Sequence, residues 1–254
     1  MITVTITNQK GGVGKTSTAL TLSAGLAVRG FRVLAVDADP QTNLTYTAGI
    51  DPENIDYDLQ DLFTGAGQIT QTITHSNSGF DIVPGSPNLN GADAIFVQAD
   101  RETLLKRILE PVKGNYDYCI IDTPPTLGIL SRNALTASDG VIIPVNSDIM
   151  SVQGLLQLNG TIKAIKRTTN PSLQVYGLLL TRFNPRANIN AALKTALENA
   201  APALQTKVYN ACIREAVAIR ESQFSRVSLF SGFPKAKITE DYNAFIDEFL
   251  KERV

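Results

Sequence analysis

The segment Gly11-Gly12-Val13-Gly14-Lys15-Thr16-Ser17 constrains this chain more than any other feature. Its three glycines within four positions remove side chains that would screen the backbone, and they admit positive φ, so successive N–H groups can turn inward on one centre. Before it, Met1 to Asn8 alternates Thr with Ile and Val and reads as a strand. After it, Lys15 to Arg29 carries apolar residues at helical spacing. A strand, a glycine turn and a helix that opens on Lys-Thr together make an anion cradle: inward amides, the positive end of a helix dipole, and an ammonium. The loop therefore reads as a P-loop for Mg·ATP. Gly11, Gly12, Val13 and Gly14 offer backbone donors, Lys15 reaches the β- and γ-phosphates, the Thr16 hydroxyl takes Mg²⁺, and Ser17 is a candidate donor to the α-phosphate. The spacing departs from the common Gly-x4-Gly-Lys-Thr, because Gln9 stands at the first glycine's place and a second lysine, Lys10, opens the loop.

The rest of the chain supplies a setting for such a loop. Short β-branched runs recur at 2–7, 32–36, 80–83, 118–121, 140–145 and 175–180, with helical patterns at 15–29, 100–109, 127–137, 152–167, 189–200 and 240–252. Strands that are apolar almost throughout and alternate with helices predict an α/β fold: a mostly parallel twisted sheet covered by helices on both faces. We read residues 1–254 as one such domain. The acidic stretch 49–73 is the least regular, a surface excursion with one short helix near 59–63. In a parallel sheet ligands gather beyond the carboxyl ends of the strands. Three aspartates fall there: Asp37 and Asp39 in Val36-Asp37-Ala38-Asp39-Pro40-Gln41, and Asp122 in Ile120-Ile121-Asp122-Thr123-Pro124-Pro125. Beside a phosphate loop, Asp39 and Asp122 are candidates for holding Mg²⁺ or its water ligands.

Composition removes other chemistries. The chain has 254 residues, 43% apolar and 19% charged, with no run near the length of a membrane span and no basic, apolar leader at its start, so a cytoplasmic protein is expected. Its cysteines, Cys119 in an apolar strand and Cys212, form neither a metal motif nor a disulfide framework, and the one histidine, His75, sits in a polar stretch that reads as a solvated loop. Zinc and Cys-His nucleophile chemistry are thereby set aside. Charge is unevenly placed. Residues 1–148 hold 9 basic against 16 acidic side chains, residues 149–254 hold 14 against 8, and no acid lies between Asp148 and Glu198. Such separation of sign is a hint of a polyanion-binding face.

Taken together, the loop 10–16, the run 36–41 and the run 120–125 resemble the ParA/MinD family of deviant Walker ATPases, and its ParA (Soj) partition branch in particular. Weaker echoes at 80–85, 141–145, 180–186 and 213–221 extend the resemblance over nearly the whole chain. What it implies is a homodimer assembled on ATP. Lys10 is then the signature lysine that reaches the nucleotide of the other subunit, and Gly11 permits close approach of the two. Asp39 positions the attacking water, and Asp122 is the Walker B aspartate near Mg²⁺. A second cation arriving on dimerisation would stabilise the charge of phosphoryl transfer, so Lys10, Lys15 and Asp39 form the catalytic set. The resemblance further implies non-specific binding of double-stranded DNA by the ATP-bound dimer, hence association with the nucleoid, and release when a ParB-like centromere-binding partner stimulates hydrolysis. Arg186, Arg214, Arg220, Arg226, Lys235 and Lys237 are the candidates for the DNA face. Ala218 stands where relatives often carry a basic residue, with Arg220 two positions on as its substitute.

Three rivals share the loop. A MinD-like membrane-cycling ATPase would need a basic amphipathic C-terminal helix, whereas residues 245–254 carry three acids against two bases and read as a helix docking Phe245, Phe249 and Leu250 on the core. An iron–sulfur reductase of the superfamily would need paired cluster cysteines. A small-molecule ligase or kinase would need an acceptor pocket, against which Lys10 argues. No operator-reading helix-turn-helix segment is expected ahead of Met1.

Overall fold

In the computed structural model the described residues are 1–146, 151–183 and 188–252. Among them the strands are β1 (Ile2–Ile6), β2 (Val33–Asp37), β3 (Thr74–His75), β4 (Asp81–Val83), β5 (Tyr118–Asp122), β6 (Gly140–Asn146) and β7 (Gln174–Thr181). The α-helices are α1 (Lys15–Val28), α2 (Asn43–Thr47), α3 (Leu59–Thr64), α4 (Ile69–Thr72), α5 (Ala92–Ile95), α6 (Leu104–Leu109), α7 (Ile129–Ala137), α8 (Ser151–Arg167), α9 (Asn188–Ala200), α10 (Val217–Phe224), α11 (Leu229–Gly232) and α12 (Lys237–Lys251). The strands form one sheet in the order β3-β4-β2-β5-β1-β6-β7. Every pairing is parallel except that of β3 with β4. β1, which feeds the glycine loop, lies between β5 and β6, and its neighbour β5 pairs in turn with β2, so the loop and all three aspartates emerge from the same edge.

Alternation along each strand divides the core in two. Tyr118 and Ile120 face α1 and α12, with Leu22, Leu26, Phe245 and Phe249. Cys119 and Ile121 face the opposite side, with Leu105 and Leu109 of α6 and Ile129 and Ala134 of α7. Cys119 is thus the buried structural thiol that its apolar run predicts, its ionisation suppressed by burial. Farther along that second face, Leu155, Leu158, Ile162 and Ile165 of α8 cover Val141, Ile143, Leu178 and Leu180.

α12 docks as its sequence predicts. Phe249 is fully buried, with the rings of Tyr118 and Tyr176 at 5.9 and 6.3 Å. Its acids tie it to the body through Arg29–Asp247 at 2.7 Å, Lys207–Glu248 at 3.4 Å and Arg214–Asp241 at 2.6 Å. Phe249→Ala should therefore cost about 3–5 kcal/mol, because a ring is removed from a site whose neighbours are themselves rigid. Urea denaturation followed by circular dichroism checks this; a decrease below about 1 kcal/mol would mean that α12 is not part of the core.

Local differences from the sequence reading have local causes. His75 is not in a loop but on β3, where it pairs with β4 and lies 2.8 Å from Asp81; its ring is still solvated. The helix expected from 100 begins as a 3₁₀ turn over Arg101–Thr103 before α6, and the one expected from 127 begins at Ile129, after Gly128 as N-cap. At the sheet edge, residues 207–214 run beside β7. Tyr209 N donates to the Leu178 carbonyl (2.9 Å) and Ile213 N to the Leu180 carbonyl (2.8 Å), which covers an otherwise open strand.

Candidate nucleotide-binding site

The glycine loop takes its shape from two left-handed residues. Gly12 has φ 72° and Gly14 φ 85°, conformations that carry little cost only without a Cβ. Gly14 is the N-cap of α1, and its carbonyl accepts from Thr18 N (2.9 Å), so the helix starts directly beneath the loop. Between the glycines Val13 is fully buried, and its carbonyl accepts from Thr181 Oγ1 at 2.9 Å, fastening the loop to β7. On the other side Lys10 N donates to Asn8 Oδ1 (3.1 Å), and Asn8 Nδ2 donates to the Pro144 carbonyl of β6 (2.7 Å). Gly11 is different. A Cβ added there would meet nothing within 4 Å, so no contact inside this chain requires glycine at that position.

Lys15 lies almost fully buried, its Nζ donating to the Lys10 carbonyl at 3.2 Å. Burial lowers the pKa of its ammonium, while the charges of Asp122 and Asp39 raise it. Asp37 and Asp122 are register partners on β2 and β5, and both are fully buried. Burial pushes the Asp37 carboxyl up to about 6, against the pull of hydrogen bonds from Thr45. Those bonds, from Thr45 N at 2.8 Å and Thr45 Oγ1 at 2.7 Å, saturate its Oδ2 and hold the start of α2 to β2. Asp122 is raised well above the usual carboxylate range, by burial first and by Asp37 next, while a Thr16 hydrogen bond and the Lys15 charge hold it back. Its Oδ1 accepts from Thr123 N (3.1 Å), whereas its Oδ2 is buried with no hydrogen-bond partner. An orphan of that kind needs a cation or an ordered donor to offset its desolvation. Asp39 stands apart: it lines the cavity, and Gln41 N donates to its Oδ1 at 3.0 Å.

The glycine loop, Lys15 and Asp39 line a cavity of about 630 Å³, with Asp37 and Asp122 buried behind it. The loop residues Gly11, Gly12, Gly14, Lys15, Thr16 and Ser17 form its floor, Asp39, Gln41, Tyr46 and Thr47 one wall, and Arg182 with α10 the other. A smaller cavity of about 130 Å³ continues from Gly14 and Ser17 past Thr181, Ile213, Ala216 and Tyr242. A third, of about 400 Å³, lies on the far side of Asp39 between Leu89–Asp93 and Pro124–Thr126.

Sequence reasoning anticipated the floor and the aspartates but not the second wall. α10 enters the site through Gln223, whose Nε2 donates to Ser17 Oγ at 3.1 Å, and through Ile219, Arg220 and Phe224. The only signal for it was the echo at 213–221. Of the six candidate polyanion residues, Arg220 is exposed at the rim of the cavity. Arg214 is held by Asp241 through two side-chain bonds of 2.6 Å, and Arg226 stacks on the Tyr46 ring at 3.8 Å. Lys235 and Lys237 are exposed near the start of α12, and Arg186 lies outside the described residues.

Fold and site together define an α/β P-loop protein built to bind a phosphorylated ligand. A family profile described as an AAA domain matches residues 1–175. The sporulation initiation inhibitor protein Soj of Bacillus subtilis is 38% identical over 241 residues, 94% of each chain. The chromosome partitioning protein ParA of Myxococcus xanthus is 43% identical over 188 residues, 73% of this chain and 66% of that one. A Mycobacterium smegmatis structure described as cobyrinic acid a,c-diamide synthase with ADP and magnesium superposes with a TM-score of 0.86, at 31% identity, over 99% of this chain and 94% of that one. The chain belongs to the family of P-loop ATPases that contains Soj and ParA.

Proposed function

We propose that this protein is a partition ATPase that binds Mg·ATP, dimerises on it, rides non-specifically on duplex DNA, and hydrolyses ATP when a centromere-binding partner stimulates it. The observation that carries the nucleotide reading is the buried Asp122 carboxyl, one oxygen without a partner, which interacts with Thr16 and Lys15 of the glycine cradle. Gly11 to Ser17 hold the phosphates, Thr16, Asp39 and Asp122 would hold Mg²⁺, and the base occupies the smaller cavity beyond Ser17. Among the described residues no cluster of three or more His, Cys, Asp or Glu forms a metal cage, as suits an ion carried in on phosphates. When bound, Mg²⁺ neutralises charge on the transferred phosphoryl group. The chain's own part is positioning: Lys15 on the phosphates, and Asp39 on the attacking water.

Dimerisation is supported by Gly11. No contact inside the chain requires glycine there, so the missing side chain leaves room for the nucleotide and for a second copy, and Lys10 would travel with that approach. DNA binding is supported by the exposed Lys235 and Lys237, and less by Arg214, whose charge Asp241 already meets. Among the described residues no helix is long and apolar enough to cross a membrane. On this reading the protein works in the cytoplasm, on the nucleoid when ATP is bound.

The test is binding of arbitrary duplex DNA with ADP, ATP and a non-hydrolysable analogue, with sedimentation in parallel. DNA should be held only with ATP or the analogue and only by the dimer, with an affinity that falls steeply as salt rises. Lys235→Glu with Lys237→Glu should weaken binding to all sequences alike and lower the log–log salt slope by roughly 0.9 for each phosphate that a subunit no longer neutralises. DNA binding indifferent to nucleotide would overturn the reading. A second reading, a small-molecule ligase, draws on the name of the Mycobacterium smegmatis structure and on the cavity beyond Asp39, where an acceptor would sit. ATP turnover stimulated by a small carboxylic acid and unaffected by DNA would favour it.

A further inference from the structure

We infer that Arg182 is a phosphate-contacting residue acting within its own subunit, a third cation of the site beside Lys15 and Lys10. The inference rests on the nucleotide reading above and deepens it. Arg182 follows the last residue of β7 and takes a left-handed backbone, φ 51°, which a side chain with a Cβ adopts only where its surroundings impose it. Both neighbours do so. Thr181 is tied to the glycine loop through its bond to the Val13 carbonyl (2.9 Å), and Phe183 N donates to the Ile213 carbonyl (2.9 Å) on the other side. A residue pinned at both ends in this conformation sends its side chain back over the loop. The guanidinium Nη2 accordingly lies 3.8 Å from the place a Cβ would take on Gly12. It borders both the 630 Å³ cavity and the 130 Å³ cavity, the junction that a nucleotide's phosphate chain must cross.

The pairing of charges points the same way. Among the described residues the arginines paired to carboxylates are Arg29, Arg32, Arg107, Arg132 and Arg214, and Arg182 is not one of them. It is exposed to the cavity, so its strained backbone secures no ion pair among the described residues. A guanidinium without a carboxylate partner, set above a ring of inward amides, fits an anion, and its planar fork suits phosphate oxygens better than a point charge would. Neither periodicity nor spacing marks this residue in the sequence, because its placement depends on a loop about 170 positions earlier.

The experiment is equilibrium binding of Mg·ATP, Mg·ADP and AMP to the wild type, Arg182→Ala, Arg182→Lys and Lys15→Ala, each first shown to melt cooperatively. Arg182→Ala should weaken Mg·ATP about 10- to 100-fold, Mg·ADP less, and AMP not at all, as expected when one charge-assisted hydrogen bond to the phosphate chain is removed. Arg182→Lys should recover part of the affinity. Equal weakening of all three ligands would place the side chain on the α-phosphate, ribose or base that they share and overturn a contact to the β- and γ-phosphates, as would unchanged affinity for Mg·ATP. Failure to dimerise with intact monomer affinity would also overturn it, since the cation would then act across the interface. If Lys15→Ala fails to bind Mg·ATP while Arg182→Ala binds it normally, this inference falls and the nucleotide reading stands; if the wild type binds no ATP, both fall.

Discussion

Lys15→Ala is expected to abolish Mg·ATP binding, with affinity reduced by at least about 100-fold, while the variant still folds. The size follows from where the ammonium sits. It is buried, is held on the Lys10 carbonyl at 3.2 Å, and is the cation whose charge reaches both Asp122 and Asp39. Removing it takes away a charge-assisted hydrogen bond to the phosphates and the cation that offsets the charges of Asp122 and Asp39. Breaking one side of a buried charged arrangement typically costs about 3–5 kcal/mol, which is roughly two to three and a half orders of magnitude in affinity. Stability should change far less, because the free protein already bears the cost of desolvating that ammonium. Isothermal titration with Mg·ATP, alongside a thermal melt, measures both. Near-normal affinity in a folded Lys15→Ala protein would show that the cradle is not a phosphate site.

How much of this could be read in advance depends on whether the cause was local. β2 and β5 were legible because their side chains are buried on both faces, so each shows as an unbroken apolar run ending in aspartate, and β1 because its Ile and Val alternate with β-branched Thr. The loop was legible because Gly12 and Gly14 are required by their own φ. α12 was legible from Phe245, Phe249 and the acids between and after them. α10 was not, for a physical reason: Ser222 is its only buried residue, Val217 and Phe224 are exposed, and it is held by Ile219 and by the bond from Gln223 to Ser17, 206 positions away. Charge counting had the same limit. It registered an excess of bases after residue 148, but pairing is set in space, where Asp241 meets Arg214 and Tyr46 meets Arg226. Among the described candidates for a polyanion face, Arg214 is therefore the one whose charge a carboxylate already meets, while Arg220, Lys235 and Lys237 are exposed.

The three aspartates at the sheet edge divide by what already holds them, and that division predicts the effect of Asp39→Ala. Asp37 is committed to Thr45, which donates to it twice, and it shapes the turn into α2 rather than the cavity. A Cβ on Gly85 would fall 2.9 Å from the Asp37 carbonyl, so that corner is also closed by packing. Asp122 is sealed, one oxygen without a hydrogen-bond partner, and its carboxyl feels both a Thr16 hydrogen bond and the Lys15 charge. Only Asp39 borders the cavity beyond the phosphate floor, and the bond from Gln41 N to its Oδ1 sets its direction. A carboxylate so placed can orient a water without gripping the phosphates. Asp39→Ala should accordingly keep Mg·ATP affinity within a few-fold and still dimerise, while turnover falls by about 10²- to 10⁴-fold, the usual worth of a positioned acid or base. Asp39→Asn, which can still accept from Gln41, should fall nearly as far, since geometry without the carboxylate charge does not draw the proton from water. Lys10→Ala separates the two halves of the proposed mechanism: it should bind Mg·ATP but dimerise and turn over poorly, because in that proposal its partner nucleotide lies in the other copy. Single-turnover hydrolysis with sedimentation of each variant resolves these outcomes. Wild-type turnover in Asp39→Ala would remove that residue from the reaction.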